Sequence, residues 1–403
     1  MLSYVPSTSD SASFLPRKEW ETMKSEHLED LLADGISRKF ATFYLDLAMK
    51  EYDNPAYDPS YVKWAHDHGF LADCAYAYGL NDDNIEHYLS DYDYYKVWPV
   101  NNWTRVWIND KLTLKQVLDG TEFSEFMPRY YFYTAPEGLR RLVDAPQLPE
   151  PATAEEFCSV LRTVGEFACK PCNGTTSLGF VHLAFHDGDY LIDDQKVDVS
   201  SIERFLAEHP NYVFTEYLRP SRQFAPYSPH IHTLRIVTVN ENGVPRIVGG
   251  YLRIPNRFSG EANYIIIDKD NAEKFNVFID FDGETGVFGP GKLTCVNKSI
   301  LANEHPDNGL PLSGTIENYD ELKHIVLGIA QRFSTIEYMG FDIGATDTGF
   351  KCMEINSHPG IKYMQIFKPI YDDPFLGDYF RKKVAAVDSL DEAGKRARNG
   401  IAR

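Results

Sequence analysis

The chain has 403 residues, enough for a sizeable core and two or three compact units, and its 40 basic against 59 acidic residues give a formal net charge of -19. So acidic a surface repels nucleic acid and anionic membranes, so no nucleic-acid partner is expected and any phosphate must be met by a local cluster of Lys and Arg. Six scattered cysteines (Cys74, Cys158, Cys169, Cys172, Cys295, Cys352) make no disulfide framework, Ser3 to Ser13 lacks the basic start and apolar stretch of a secretory signal, and no apolar run nears the roughly 18 residues that cross a bilayer.

A cytoplasmic protein is therefore expected. Residues 1–14 read as a disordered Ser/Asp-rich tail. From Trp20 to Tyr52 the spacing of Leu28, Leu31, Leu32, Phe40, Phe43, Tyr44 and Leu47 predicts one or two amphipathic helices, which Asp53-Asn-Pro and Asp58-Pro then break. Ser60 to Tyr78 and Asp82 to Tyr95 predict a second helical pair, crowded with Tyr, Trp and Asp; these aromatics read as core, or as a platform for a sugar or an acceptor. Pro99 to Trp107 is a connector, and a helix starts near Lys111 with Asn109 or Asp110 as cap. Pro146 to Pro151 is a loop, after which Thr153 and Glu156 form a capping box opening a helix to about Gly165.

From Glu166 the pattern turns to strands: Phe167 to Lys170, Gly179 to Phe185, Tyr190 to Ile192, Tyr212 to Leu218, Thr233 to Val239, Arg246 to Ile254, Tyr264 to Ile267 and Gly340 to Asn356. Asp187-Gly188, Asn242-Gly243 and Asp282-Gly283 mark turns, and helices are expected at Ser200 to Glu208 and Tyr319 to Tyr338. Strand runs with few helices predict an α+β fold with mostly antiparallel sheets. The basic end, Lys395-Arg396-Ala-Arg398 with Arg403, reads as a frayed solvated tail, with weak membrane contact as the alternative.

Several residues in this order could carry chemistry. Lys170 ends a strand and is followed by Asn173-Gly174-Thr-Thr-Ser177-Leu-Gly179, where glycines would let backbone N–H groups approach a phosphate; an ordinary turn is the alternative. Cys169 and Cys172 lack a second Cys or His pair to complete a zinc site. Glu216 is the single acid of an apolar strand, either facing solvent or accepting from an adenine amino group at a cleft edge. Arg235 and Arg253 sit in otherwise apolar strands and need an anionic partner, either a structural acid or a substrate carboxylate or phosphate gripped bidentately.

The stretch Gly340 to Gly360 completes the set. A three-residue loop at Asp347-Thr348-Gly349 would pair Thr346 with Phe350 and put Asp342 opposite Glu354, their Cβ atoms roughly 4.5–5.5 Å apart. Asn356 falls on the same face, and its opposite number Gly340 leaves space above it. Carboxylates that close repel unless a cation lies between them, and Mg²⁺ completed by substrate phosphates suits the set. A polar surface hairpin is the alternative, and a two-residue loop would send the two acids to opposite faces.

A phosphate loop, a lone strand acid, two strand arginines and an Asp/Glu/Asn face, in that order, resemble the ATP-grasp superfamily. His232-Thr-Leu-Arg-Ile-Val-Thr and Asn356-Ser-His-Pro-Gly resemble its sugar-transfer-associated branch, although that branch typically has asparagine where this chain has His232. The resemblance covers residues 100 to 375. It implies two α+β subdomains clasping ATP: residues 101–218 as N-terminal and central subdomains with the phosphate lid, residues 219–390 as the C-terminal subdomain with the metal site, a helical aromatic extension over 15–100, and the basic tail at 391–403. It further implies that Lys111 (or Lys115, one turn later) and Lys170 contact ATP phosphates under a lid that includes Gly174 and Ser177. Glu216 and Leu218 would hold the adenine, Asp342, Glu354 and Asn356 would bind Mg²⁺, and Arg235 and Arg253 would hold phosphate or substrate carboxylate. The activity implied is ligation of a carboxylate, such as an amino acid or sugar acid, to an amine through an acylphosphate, in cell-envelope polysaccharide or secondary-metabolite synthesis. A small-molecule kinase and a non-catalytic nucleotide- or glycan-binding protein are the alternatives.

Overall fold

In the computed structural model the described residues are 27–401, except 102, 143, 175–178, 261–264, 266, 268 and 269. The expected tail at 1–14, Ser177 of the lid, half of the strand expected at Tyr264 to Ile267, and Arg403 therefore lie outside the described residues.

Among the described residues five α-helices form the N-terminal unit: α1 (27–33), α2 (Arg38–Tyr52), α3 (Pro59–Asp67), α4 (Ala72–Tyr78) and α5 (Asp91–Lys96). Ser37 and Asp58 cap α2 and α3 through their side-chain oxygens, as their position before apolar-periodic runs requires. The two longer helices expected between Ser60 and Tyr95 are in fact shorter pieces, because Gly69 takes φ +80° and the chain re-enters a helix only at Ala72. Next come α6 (Val106–Asn109) and α7 (Lys111–Leu118), the latter capped by Asp110, which accepts from the Thr113 N–H at 2.7 Å.

Two antiparallel sheets follow. The first has the order β2-β1-β7-β3-β4-β5-β6, built from β1 (Tyr130–Ala135), β2 (Gly138–Arg141), β3 (Glu166–Pro171), β4 (Val181–His186), β5 (Asp189–Ile192), β6 (Gln195–Val197) and β7 (Tyr212–Thr215). Helices α8 (Ala154–Val164) and α9 (Val199–Glu208) bury Phe157, Leu161, Ile202 and Phe205 against Phe132, Phe167, Cys169 and Phe214 on one side of it. Alternation along β3 therefore leaves Glu166, Ala168 and Lys170 on the opposite side.

The second sheet has the order β12-β11-β10-β9-β8-β14-β15 with β13 on β11: β8 (Thr233–Glu241), β9 (Val244–Ile254), β10 (Asn276–Phe281), β11 (Val287–Cys295), β12 (Lys298–Ala302), β13 (Gly314–Thr315), β14 (Tyr338–Thr346) and β15 (Gly349–Asn356). Helix α10 (Tyr319–Arg332) packs on one face in the largest core, with Leu234, Ile236, Phe341 and Ile343. The expected helix to Tyr338 stops at Arg332, and Tyr338 instead opens β14. The other face carries Arg235 and continues through Val237 and Val239. There the N-terminal unit (Leu89, Tyr94, Val97), α11 (Lys362–Gln365) and α12 (Pro374–Asp388) cover it.

The C-terminal segment corrects the expectation of a frayed tail. It forms α13 (Glu392–Asn399), and Arg398 donates to the carbonyls of Gly35, Lys96 and Trp98, tying the last helix to the N-terminal unit.

Candidate active site between the two sheets

The site starts with a row of side chains across four strands. Register places Tyr251 on β9, Arg235 on β8, Asp342 on β14 and Glu354 on β15 side by side. How the hairpin achieves this differs from the expectation. The loop is the two residues Asp347-Thr348, with Thr346 paired to Gly349 (φ +105°) and Ala345 to Phe350, not Thr346 to Phe350. That register alone would send the two acids to opposite faces. A β-bulge between Ile343 and Asp342 inserts Met353 as an extra residue on β15 and restores the pairing, so Asp342 lies opposite Glu354 and Gly340 opposite Asn356.

Arg235 grips Asp342 with Nε on Oδ1 and Nη2 on Oδ2, the latter at 2.8 Å, and the pair is almost wholly shut off from water. The Asn356 amide nitrogen lies 3.2 Å from Glu354 Oε1 and 3.5 Å from Asp342 Oδ2. The amide nitrogen thus lies close to both carboxylates, and turning its side chain about the last bond would offer a third oxygen beside them. Three hard oxygen donors fit Mg²⁺, whose remaining positions water and phosphate oxygens commonly fill. Among the described residues no cluster of three or more His, Cys, Asp or Glu is placed to hold a metal. The space expected over Gly340 is occupied: a Cβ there would lie 2.3 Å from Pro359 Cβ.

Two lysines approach this row, one from α7 and one from β3 of the first sheet. Lys111, at the start of α7, sends Nζ to Glu354 Oε2 at 3.2 Å and to the Gly174 carbonyl at 3.1 Å, so one lysine joins the acids to the loop after β3. Lys115 is committed elsewhere, to Asp119 and, at 2.9 Å, to Asp144. Lys170, next to the last residue of β3, lies near the same acids. Burial, and then repulsion from Lys111, bring its pKa down to about 8 despite Glu354 nearby. Loss of water would raise the Glu354 carboxyl, but Lys111 and hydrogen bonds with Asp342 and Asn356 carry it down to about 2. Asp342, its buried neighbour, is raised by desolvation more than Arg235 lowers it.

The remaining expected residues are dispersed around this centre. Arg253 lies two positions beyond Tyr251 on the same face, with Nη2 3.2 Å from Thr233 Oγ1. Gly174 is needed for close approach, since a Cβ would lie 2.3 Å from Pro171 Cγ. β7 ends at Thr215, earlier than expected, so Glu216 and Leu218 lie on the segment beyond it. The Glu216 carboxylate accepts from the Arg129 N–H at 3.3 Å, and Leu218 is buried. His232 accepts from the Ala345 N–H at 3.1 Å on the opposite face of the sheet, and burial lowers its pKa to about 3, so it is a neutral pin between strands.

Sequence reasoning passed over a polar cluster on the Lys170 side of the first sheet. His182 reaches Glu166 at 3.0 Å, Arg219 reaches the same carboxylate at 2.8 Å, and Tyr217 stacks on the His182 ring at 4.1 Å. Its members come from three separate segments, so no local spacing announces it.

A family model described as sugar-transfer associated ATP-grasp matches residues 101–369. No curated protein matches the chain. Among solved structures, D-alanyl-alanine synthetase A of Vibrio cholerae is 13% identical, with a TM-score of 0.41, over 70% of this chain and 66% of its own. The ATP-grasp ligase PsnB in complex with a minimal precursor is 13% identical, with a TM-score of 0.36, over 71% of this chain and 62% of its own. D-alanine–D-alanine ligase of Bacillus anthracis is 14% identical, with a TM-score of 0.35, over 74% and 71%. The chain thus spans just under two thirds of the length of the first two.

Proposed function

This chain belongs to the sugar-transfer associated ATP-grasp family, and on that premise we propose that it is an ATP- and Mg²⁺-dependent ligase joining a small-molecule carboxylate to an amine. One observation carries the reading: two carboxylates and an amide converge on one sheet face, with Lys111 and Lys170 facing them and Arg235 locking one acid in place.

Bound MgATP would supply the phosphoryl group: the carboxylate takes the γ-phosphoryl with release of ADP, and the amine then attacks the acyl carbon, expelling phosphate. The chain's own contribution is positioning and charge, without a protein nucleophile. Arg235 and Lys111 fix Asp342 and Glu354 before any ligand arrives, so little reorganisation remains at the moment of transfer. Lys170, its charge held at neutral pH against burial, gains a stronger hold on its proton when an anion sits beside it. Arg253, oriented through Thr233, offers a planar fork for the substrate carboxylate of an amino acid or sugar acid. Glu216 and Leu218 stand at the expected adenine end, and Gly174 in the expected lid over the phosphates. No helix among the described residues is long and apolar enough to cross a membrane; work in the cytoplasm, where ATP is, is part of the proposal.

The test is a thermal-shift screen of Mg²⁺ with ATP analogues, followed by coupled ADP release against panels of carboxylates and amines. Turnover that requires both partners and disappears in Asp342→Ala and Glu354→Ala is the expected result. A stable phosphorylated product with no amine requirement would select a small-molecule kinase instead, and nucleotide binding without turnover under every pairing would select a binding protein.

A further inference from the structure

The ladder between β14 and β15 ends at the pair Gly340 and Asn356, next to the proposed metal face. Beyond it β14 continues on β8 through Met339 and Tyr338 while the chain after β15 departs, and Asn101, which lies outside both, bridges the two. The Asn101 side chain, 2% exposed, donates through Nδ2 to the Tyr338 carbonyl at 2.6 Å and the Ser357 carbonyl at 3.0 Å. Its Oδ1 accepts from the Glu337 N–H at 2.7 Å and the Tyr338 N–H at 2.9 Å. One buried amide thus satisfies four backbone groups, two strands are joined by a side chain where backbone pairing stops, and the residue held on the β15 side directly follows Asn356. Asn109 adds a second hold, accepting from the Ser357 N–H at 3.1 Å. Tyr94 of the N-terminal unit adds a third, donating to the Pro359 carbonyl.

We infer that Asn101 is a positioning residue for metal binding: with Asn109 in support, it clamps the open end of the hairpin so that the side chains of Asn356, Glu354 and Asp342 keep a common focus. The inference rests on the Mg²⁺ reading of that face. A stretched hairpin end would let Asn356 drift while leaving the strand centres paired, so the loss falls on ion affinity rather than on the fold.

The experiment measures the Mg²⁺ concentration that gives half of the thermal shift produced by a non-hydrolysable ATP analogue, in the full chain. Asn101→Asp keeps the acceptor but turns an oxygen toward two carbonyls, and raises that concentration about tenfold, as loss of a ligand's supporting hydrogen bonds does elsewhere. Asn109→Ala, at an exposed position, raises it about threefold, the effect of one lost hydrogen bond. Ile202→Ala, in the distant core of the first sheet, lowers the unfolding temperature without moving it. If Asn101→Asp does not fold, Asn109→Ala alone decides. An unchanged Mg²⁺ requirement in the asparagine variants, or an equal change in Ile202→Ala, overturns the positioning role alone. A wild-type shift that does not depend on Mg²⁺ overturns the metal reading and this role together.

Discussion

Changing Asp342 to asparagine removes one of two anions from a row facing Arg235, Lys111 and Lys170. Arg235 and Asp342 keep only 13% and 10% of their side chains exposed, so the guanidinium would be left without water or an adjacent carboxylate. Removing one partner of so buried a pair costs about 3–5 kcal/mol. Glu354 remains nearby and the new amide still accepts one hydrogen bond, which favours the lower end, about 3 kcal/mol. Arg235→Met should cost a similar amount, because Asp342 would then be buried beside Glu354 without its own cation. If both losses come from breaking one pair, Arg235→Met with Asp342→Asn costs at least about 2 kcal/mol less than the two singles added together. Urea unfolding of wild type, both singles and the double measures this directly. A discrepancy from additivity below about 0.5 kcal/mol, the level of exposed ion pairs, would refute the view that this pair holds the row together.

Other predictions concern neighbouring side chains. Lys170 has its pKa lowered by burial and then by Lys111 to about 8, below its ordinary value of 10.5, so the folded state resists its charge at neutral pH and recovers stability as pH rises from about 8 toward 10.5. Lys170→Met should therefore raise the unfolding temperature at pH 7, by a margin that shrinks above pH 8, while abolishing the nucleotide-induced shift; a pH series of melting curves with and without nucleotide checks both. Lys111→Met and Lys115→Met should behave oppositely. The first removes nucleotide binding, and the second costs about 1–2 kcal/mol by stranding Asp119 and Asp144 but leaves nucleotide binding intact, as isothermal titration and urea unfolding would report. Gly340→Ala would drive a Cβ to within 2.3 Å of Pro359, costing about 1–3 kcal/mol in unfolding free energy and raising the Mg²⁺ requirement as the loop after Asn356 is pushed away.

What the sequence made legible follows the physics of short range. Asp110 and Thr153 cap the helices they were expected to start, because a cap is a contact within three residues. Asp187-Gly188 and Asn242-Gly243 turn the chain as expected, with positive φ at all four residues. β10 to β12 are absent from the sequence reading; in β11 the residues Gly289-Pro290-Gly291 have turn character, yet they lie inside the strand, where cross-strand partners override local preference. At the site, the opposition of Asp342 and Glu354 was anticipated for a wrong reason: the loop is one residue shorter, and the bulge at Met353 makes up the difference. Lys111 could not be told from Lys115 by spacing, since the choice turns on Asp119 and Asp144, the latter 29 residues further on. Asn101 gave no sign at all, because its four partners lie more than two hundred positions away.

That bulge gives the hairpin a property of parity. An odd number of residues separates Asp342 from Glu354, so two equal arms and a two-residue loop leave one over, and Met353 absorbs it as the bulge. Deleting Met353 would therefore leave a regular ladder with the two acids still opposed, whereas straightening the bulge with Met353 kept would pair Asp342 with Met353 and send Glu354 to the other face. The bulge, more than the identity of the hairpin's tip, is thus what keeps the acids of the proposed metal site on one face.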